Sequence, residues 1–424
     1  MRYAWLAVAL WLAACGGGDS SSSADIPRNV DRDIQSTDLA IDVATHEGSA
    51  DIRVAASAQR GLSLLVGDLT IHSVTDGSAA LPYAVTDADG IAATTGNRLD
   101  IAIGTGTRAV IRYRYSNHES MNGASANGYT FLWPRYCQNL FPCEPSPVDG
   151  SEFTLTLSGI GNGLQAVYPG HLASAPAYQL AWAIAAYRWL DLGTTDGGTH
   201  LRAAYFQSDA SAAAAGTARL REIFSWYETT LGSYPWGSEA ASVEVAWPAG
   251  SYGGMEHHPF WHISSRSFGD SLIHAHEAAH GWFGDGVRLA CWEDFVLSEG
   301  TASYLAAAAI GAVYGASAEQ AVWAQYDEAL AQQTAIANHA AWPDGCSDNF
   351  DVLGIFDVIA YYRGANFFRA VEGQVGRPAL LSALRQFVAA HRFEAARFGD
   401  LIDTIRQQTG YDPQPLAEQY LRHA

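Results

Sequence analysis

The stretch His276-Glu277-Ala278-Ala279-His280 places two imidazoles four positions apart, with a carboxylate beside the first. On a helix, positions i and i+4 share one face, so both rings can reach a single cation. Glu277 sits beside that face, where it can take a proton from a water held at an open coordination position. Zinc needs a third protein ligand if one position is to stay open. Glu299, in Leu297-Ser298-Glu299-Gly300-Thr301, can supply it. Eighteen residues separate Glu299 from His280, enough for a turn at Gly284-Asp285-Gly286 and a return helix. The expected cofactor is therefore one zinc ion held by His276, His280 and Glu299, with Glu277 as general base. The bland reading of the same text is a satisfied pair of core histidines on an apolar helix. His274 lies on a different face and reads as structural or as a support for the ligands.

Elements must hold these groups in place. Helical periodicity runs from Ala210 to Leu231, ending at Gly232, and helices are expected near 271–284 and 295–310. More helix is expected from about Ser317, a candidate N-cap with Gln320 three residues on, to Ala335. Further helices should follow over 358–375 and from Pro378 to the C-terminus, and a strand over 242–246. The first part of the chain reads differently. Leu64–Ile71, Leu99–Ile103, Ala109–Tyr113 and Phe153–Leu157 are short apolar or alternating runs separated by Gly, Asp and Asn. That rhythm predicts an all-β sandwich or saddle-shaped sheet before an α+β domain.

The chain has 424 residues, long for one domain and consistent with two. Its 44 acidic against 24 basic residues give a net charge of -20, which argues against nucleic acid or an anionic lipid surface as partner. Arg2 precedes an apolar run, Tyr3 to Ala14, too short to span a bilayer. It ends in Leu12-Ala13-Ala14-Cys15 before a Gly/Ser stretch. Small residues before a cysteine here resemble a bacterial lipoprotein cleavage signal, which implies lipidation at Cys15, a flexible tether and a place in the bacterial cell envelope, facing the periplasm or the exterior. An ordinary signal peptide with an incidental Cys15 is the alternative. Export makes disulfides available to the remaining cysteines, with Cys137–Cys143 as the preferred first pair and Cys291–Cys346 as the second, against four buried free thiols. No paired CxxC spacing supports a cysteine-based zinc site.

At this point the text resembles the aminopeptidase N family of zinc peptidases. The likeness rests on the HExxH with its downstream Glu299, and on the flanking Trp282-Phe283-Gly284-Asp285 and Trp292 to Tyr304. It also rests on Gly253-Gly254-Met255-Glu256-His257, similar to the family's Gly-Ala-Met-Glu-Asn, and on Tyr361-Tyr362-Arg363-Gly364-Ala365, similar to its Tyr-x-Lys-Gly-Ala. The resemblance implies a β domain, placed over 25–172, before a thermolysin-like zinc catalytic domain over 173–424; the leader and tether are assigned to 1–24, and the large helical C-terminal domain of many family members is not expected. The resemblance also implies that Glu256 pairs with the free α-ammonium of a peptide, that Gly253, Gly254 and Met255 line the substrate backbone, and that Tyr361 donates to the developing oxyanion. Without it, Tyr361 and Tyr362 are indistinguishable.

Three departures bear on this. His257, a further expected substrate-binding residue, stands where the family has Asn, changing the expected contacts to the substrate backbone and adding a group expected to titrate near neutrality. Trp133, eight residues before Phe141, stands where the family places a second amine-binding Glu. The chain also stops soon after the helical region of Tyr361, so a more open site is expected. His258, Phe260, Trp261 and His262 nearby read as core or pocket lining rather than a second metal site. The implied reaction is hydrolysis of N-terminal peptide bonds on substrates with a free N-terminus. Trp133 keeps open an endopeptidase or a peptidase of blocked peptides, and a non-catalytic, peptide-binding envelope lipoprotein is the remaining alternative.

Overall fold

The computed structural model describes residues 26–88, 96–335, 338–346 and 356–423. Cys15 and the leader lie outside them. The first part of the described chain is a β domain. Its six-stranded sheet runs in the order His171–Ala175, Ser151–Ser158, Ile34–Asp42, Glu47–Val54, Arg108–Arg114, Thr70–Thr75. Ile34–Asp42 and Ser151–Ser158 are parallel and the other neighbours antiparallel. The alternating burial of Glu47–Val54 and Arg108–Arg114 marks a sheet with one wet face. A three-stranded antiparallel sheet, Leu62–Gly67, Asn97–Ile101 and Tyr83–Asp87, completes the domain. The run Leu64–Ile71 is thus not one strand. It breaks at Gly67, whose left-handed backbone (φ 45°) sends Leu62–Gly67 and Thr70–Thr75 into different sheets.

The expected domain boundary after 172 falls inside the strand His171–Ala175, which still pairs with Ser151–Ser158. The catalytic sheet begins at Arg188. Its order is Arg188–Thr194, His200–Tyr205, Glu239–Val245, Phe260–Ser264, Gly254–Met255. The inner pairs are parallel and the outer two antiparallel, which leaves Gly254–Met255 as an edge strand.

Helices cover this sheet. The helix expected over 210–231 is two: α1, Ala210–Gly216, and α2, Leu220–Leu231. They part where Gly216 packs against the Phe268 carbonyl and the His274 ring with no room for a side chain. The Thr217 hydroxyl donates back to Ala213 O at 2.7 Å. α3 (Ser271–Ala279) starts at Asp270, whose carboxylate accepts the Leu272 N–H at 2.9 Å. α4 (Phe295–Tyr314) and α5 (Ala316–Thr334) share Gly315, which ends one and begins the other. Its φ of 96° suits glycine alone, so Ser317 is not the cap. α4 is apolar and long enough to cross a bilayer, but Phe295 through Ile310 are all buried in the protein. α6 (Val358–Val375) is capped by Asp357, which accepts the Ile359 N–H at 2.8 Å. α7 (Arg377–His391) packs on α2 and α6, and α8 (Phe398–Thr409) on α7 and α4. Among the described residues no separate helical domain follows.

Cys137 is joined to Cys143 in the β domain, and Cys291, just before α4, to Cys346.

Candidate active site

α3 presents His276 and Glu277, and His280 is its C-cap residue, still in helical conformation (φ -60°), so the i, i+4 face is kept. α4 brings Glu299 against them. His276 Nε2 lies 3.0 Å from Glu299 Oε2, His280 Nε2 3.4 Å from the same oxygen, and the two Nε2 atoms are 3.1 Å apart. Three ligands of one tetrahedral zinc, with bonds of roughly 2.0–2.2 Å, stand about 3.3–3.6 Å from one another. The triangle is slightly tighter than that and of the right kind: two imidazole nitrogens and one carboxylate oxygen converging on a point. The donor set fits a zinc ion.

Neighbouring groups aim the ligands. His280 Nδ1–H donates to the Phe283 carbonyl at 3.0 Å, which turns Nε2 toward the triangle as the nitrogen that would bind an ion once it has lost its proton. The Ser298 hydroxyl is 3.1 Å from the same Nδ1, and the Ser303 hydroxyl is 3.4 Å from His276 Nδ1. The sequence pattern alone singles out neither serine, although Ser303 follows Glu299 by one helical turn on α4.

His274 is structural. Its Nε2–H donates to Phe268 O and its Nδ1 accepts from the Ser242 hydroxyl, both at 2.8 Å, and burial pushes its pKa down to about 4. His258 buttresses α3 from the other side. Its Nε2–H donates to the Glu277 carbonyl at 2.8 Å and its Nδ1 accepts from the Tyr234 hydroxyl at 2.7 Å. His257 departs from expectation. It is buried, both ring nitrogens have no partner among the described residues, it lies edge-on to His262 at 4.8 Å, and it does not line the cleft. Burial pushes its pKa well below the usual histidine range, so it does not titrate near neutrality. Among the described residues, the other trio able to ligate a metal is Glu256, Glu277 and His280, which shares His280 with the first.

The triangle opens onto a cleft of about 260 Å³. Gly253, Gly254, Met255 and Glu256 line it along the edge strand, and Tyr361 and Tyr362 line it from α6. A Cβ on Gly254 would overlap the Glu277 carboxylate, so the bare backbone there makes room for it. The Tyr361 ring stacks on His276 (centroids 5.7 Å apart, planes at 18°), whereas Tyr362 stacks on Tyr326 at 4.4 Å. The structure therefore separates the two tyrosines. Trp133 reaches the same cleft from the β domain.

The electrostatics divide the acids. Burial would raise Glu299, but the His280 charge and the hydrogen bonds from His276 and His280 outweigh it and hold its pKa at about 2. Burial pushes Glu277 well above the usual carboxylate range and Glu256 up to about 7, the Glu299 charge adding to both. Tyr361 is pushed up by burial and then by Glu299, so its hydroxyl keeps its proton and stays a donor.

Residues 218–420 match the model of the Peptidase family M1 domain. Aminopeptidase N of Streptomyces lividans is 30% identical over 154 residues, covering 35% of this chain and 18% of the relative. The thyrotropin-releasing hormone-degrading ectoenzyme of Mus musculus is 23% identical over 326 residues, covering 66% of this chain and 29% of the relative. The chain thus spans less than a third of the length of these curated relatives. Among solved structures, an M1 zinc metallopeptidase from Deinococcus radiodurans superposes with a TM-score of 0.74 at 18% identity, covering 93% of this chain and 95% of that one. Yeast LTA4 hydrolase superposes with a TM-score of 0.76 at 17% identity, covering 93% and 68%.

Proposed function

Because residues 218–420 form a peptidase family M1 domain, we propose that the chain is a zinc aminopeptidase, hydrolysing the first peptide bond of substrates with a free N-terminus. One observation carries this reading: the His276–His280–Glu299 triangle opens onto the same cleft as Glu277, Glu256 and Tyr361.

His276, His280 and Glu299 would hold the ion, which when bound supplies Lewis acidity to polarise the scissile carbonyl and acidify a water. The remaining work falls to side chains. Glu277 removes the proton of the attacking water and returns one to the leaving amine. The Tyr361 hydroxyl donates to the carbonyl oxygen as that oxygen gains charge. Glu256, buried at the edge strand, pairs with the substrate's ammonium, whose charge draws the carboxyl into its ionised form. The free edge of Gly254–Met255 offers main-chain groups to an extended peptide. The related structure bound to Tyr-Ser-Ala supports peptides as the ligand class.

The deciding measurement compares an aminoacyl reporter with its N-acetylated twin on zinc-loaded protein. Turnover of the free amine alone is expected. Preference for the acetylated reporter would replace the aminopeptidase by a peptidase of blocked or internal bonds, the reading that Trp133 in place of a second carboxylate favours.

We further propose that the protein is anchored in the cell envelope by lipid on Cys15. Support comes from the order of apolar run, small residues, cysteine and Gly/Ser stretch. Mass spectrometry of the mature N-terminus tests this. A diacylglyceryl-modified Cys15 is expected, and a mature chain starting elsewhere would remove the anchor.

A further inference from the structure

Resting on the aminopeptidase reading, we propose that Trp133 makes the cleft select peptides whose first residue is large and apolar, and that the cleft rejects an acidic first residue. Trp133 belongs to the β domain, yet its ring lines the catalytic cleft. It meets Phe356 edge-on at 4.7 Å and Tyr252 edge-on at 5.7 Å. Behind it, Trp292 at 6.1 Å and Phe295 at 5.9 Å hold the ring in place.

The three rings come from separate stretches of chain and form one aromatic wall. That wall shares the cleft with Glu256, the group that holds the substrate's amine on the aminopeptidase reading. Tyr252 is four residues before Glu256, and both line the cleft. Tyr252 is 41% exposed at the mouth, stacked on Phe131 at 5.7 Å with planes 8° apart. A side chain laid against this wall removes apolar surface of both partners from water and gains edge and face contacts with the rings.

Charge supplies the rejection. Glu256, Glu277, Glu299 and Asp357 line the cleft, and no lysine or arginine lines it among the described residues. A carboxylate on the first side chain would lose its water beside Glu256 without gaining a partner. An indole in the place of a second carboxylate therefore shifts selection from charge toward apolar bulk.

The test uses full-length, zinc-loaded protein and 4-nitroanilides of Phe, Leu, Ala and Glu. The kcat/KM values for Phe and Leu should exceed that for Ala by about tenfold or more, with Glu slowest. Equal values for Phe and Ala, or Glu matching Leu, would overturn the proposal. Trp133→Ala should shrink the Phe-over-Ala ratio by about tenfold. Because Trp133 also packs on Trp292 and Phe295, the exposed Tyr252 gives a second variant. Tyr252→Ala should shrink the same ratio by about threefold. A ratio unmoved in every variant that folds sinks the assignment. Calorimetry on zinc-loaded Glu277→Gln reads the wall without turnover. Phenylalanine amide should bind about tenfold tighter than alanine amide and glutamate amide most weakly, and equal affinities refute the wall. Selective binding in a protein whose wild type hydrolyses no reporter would sink the peptidase reading and leave the wall standing.

Discussion

Gly300 of α4 and Gly364 of α6 meet backbone to backbone. A methyl on Gly364 would lie 2.5 Å from the Gly300 Cα, and one on Gly300 would lie 2.7 Å from the Gly364 Cα. Gly300 follows Glu299, and Gly364 is three residues after Tyr361. This crossing therefore sets how near α6 brings Tyr361 to the triangle. Gly300→Ala or Gly364→Ala should force the helices apart, costing about 1–3 kcal/mol against about 1 kcal/mol gained in helix propensity. Turnover should fall further than stability explains, because Tyr361 moves off His276. Thermal unfolding and steady-state kinetics check this. Unchanged kcat in a folded variant would show that the close crossing is not what places Tyr361.

Glu277→Gln should keep its metal and lose turnover by about 10³-fold or more. Gly254→Ala should mimic it in part, because the added methyl displaces the Glu277 carboxylate. Metal content by atomic spectroscopy beside kcat is the measurement. A Glu277→Gln protein as active as wild type would remove Glu277 from the reaction.

Tyr361→Phe should lower kcat by about 10²–10³-fold with little change in KM, since its hydroxyl serves the developing charge rather than the ground state. Tyr362→Phe should cost at least about tenfold less, because that ring packs on Tyr326. Equal losses would mean that the stacking of Tyr361 on His276 does not separate their roles.

Chelation should abolish turnover, and added zinc should restore it. The ion binds only the folded triangle, so metal at about a thousandfold over its Kd should add about 4 kcal/mol of stability. His280→Ala should remove both effects. A melting temperature indifferent to chelator would show that the triangle holds no ion.

Glu244, on the strand Glu239–Val245, provides a pH test outside the metal-ligand triad. It is fully buried, Oε2 accepts the Phe206 N–H at 2.7 Å, and Oε1 has no partner within hydrogen-bond geometry among the described residues. Burial, with Asp209 nearby, raises it from 4.5 to about 7. Between those values the folded protein binds more protons than the unfolded chain. The favourable contribution is thus complete below about pH 4.5 and lost as pH rises through 7. Glu244→Gln should be more stable than wild type at pH 8 by on the order of 1–3 kcal/mol and should flatten the decline between pH 5 and 8. Parallel melting curves for the two proteins across that range would contradict this.

The metal triad was legible in the text because its geometry is mostly local. A spacing of four on any helix puts His276 and His280 on one face, and the second helix needed only a turn to return Glu299. The order of a β domain and an α+β domain was legible for the same reason, since strand and helix periods are local. What long-range packing decides was not. Leu64–Ile71 reads as one strand until Gly67 turns it between two sheets. His257 reads as a titrating group until packing against His262 buries it. Tyr361 and Tyr362 differ only in what α6 lays them against, His276 for one and Tyr326 for the other. Trp133 joins the cleft only because the β domain closes against the catalytic one. The sequence by itself determined which atoms can hold an ion and move a proton, through backbone periodicity. Only the tertiary structure decided which rings line the cleft and which tyrosine stacks on His276, because both depend on contacts between segments far apart in the chain.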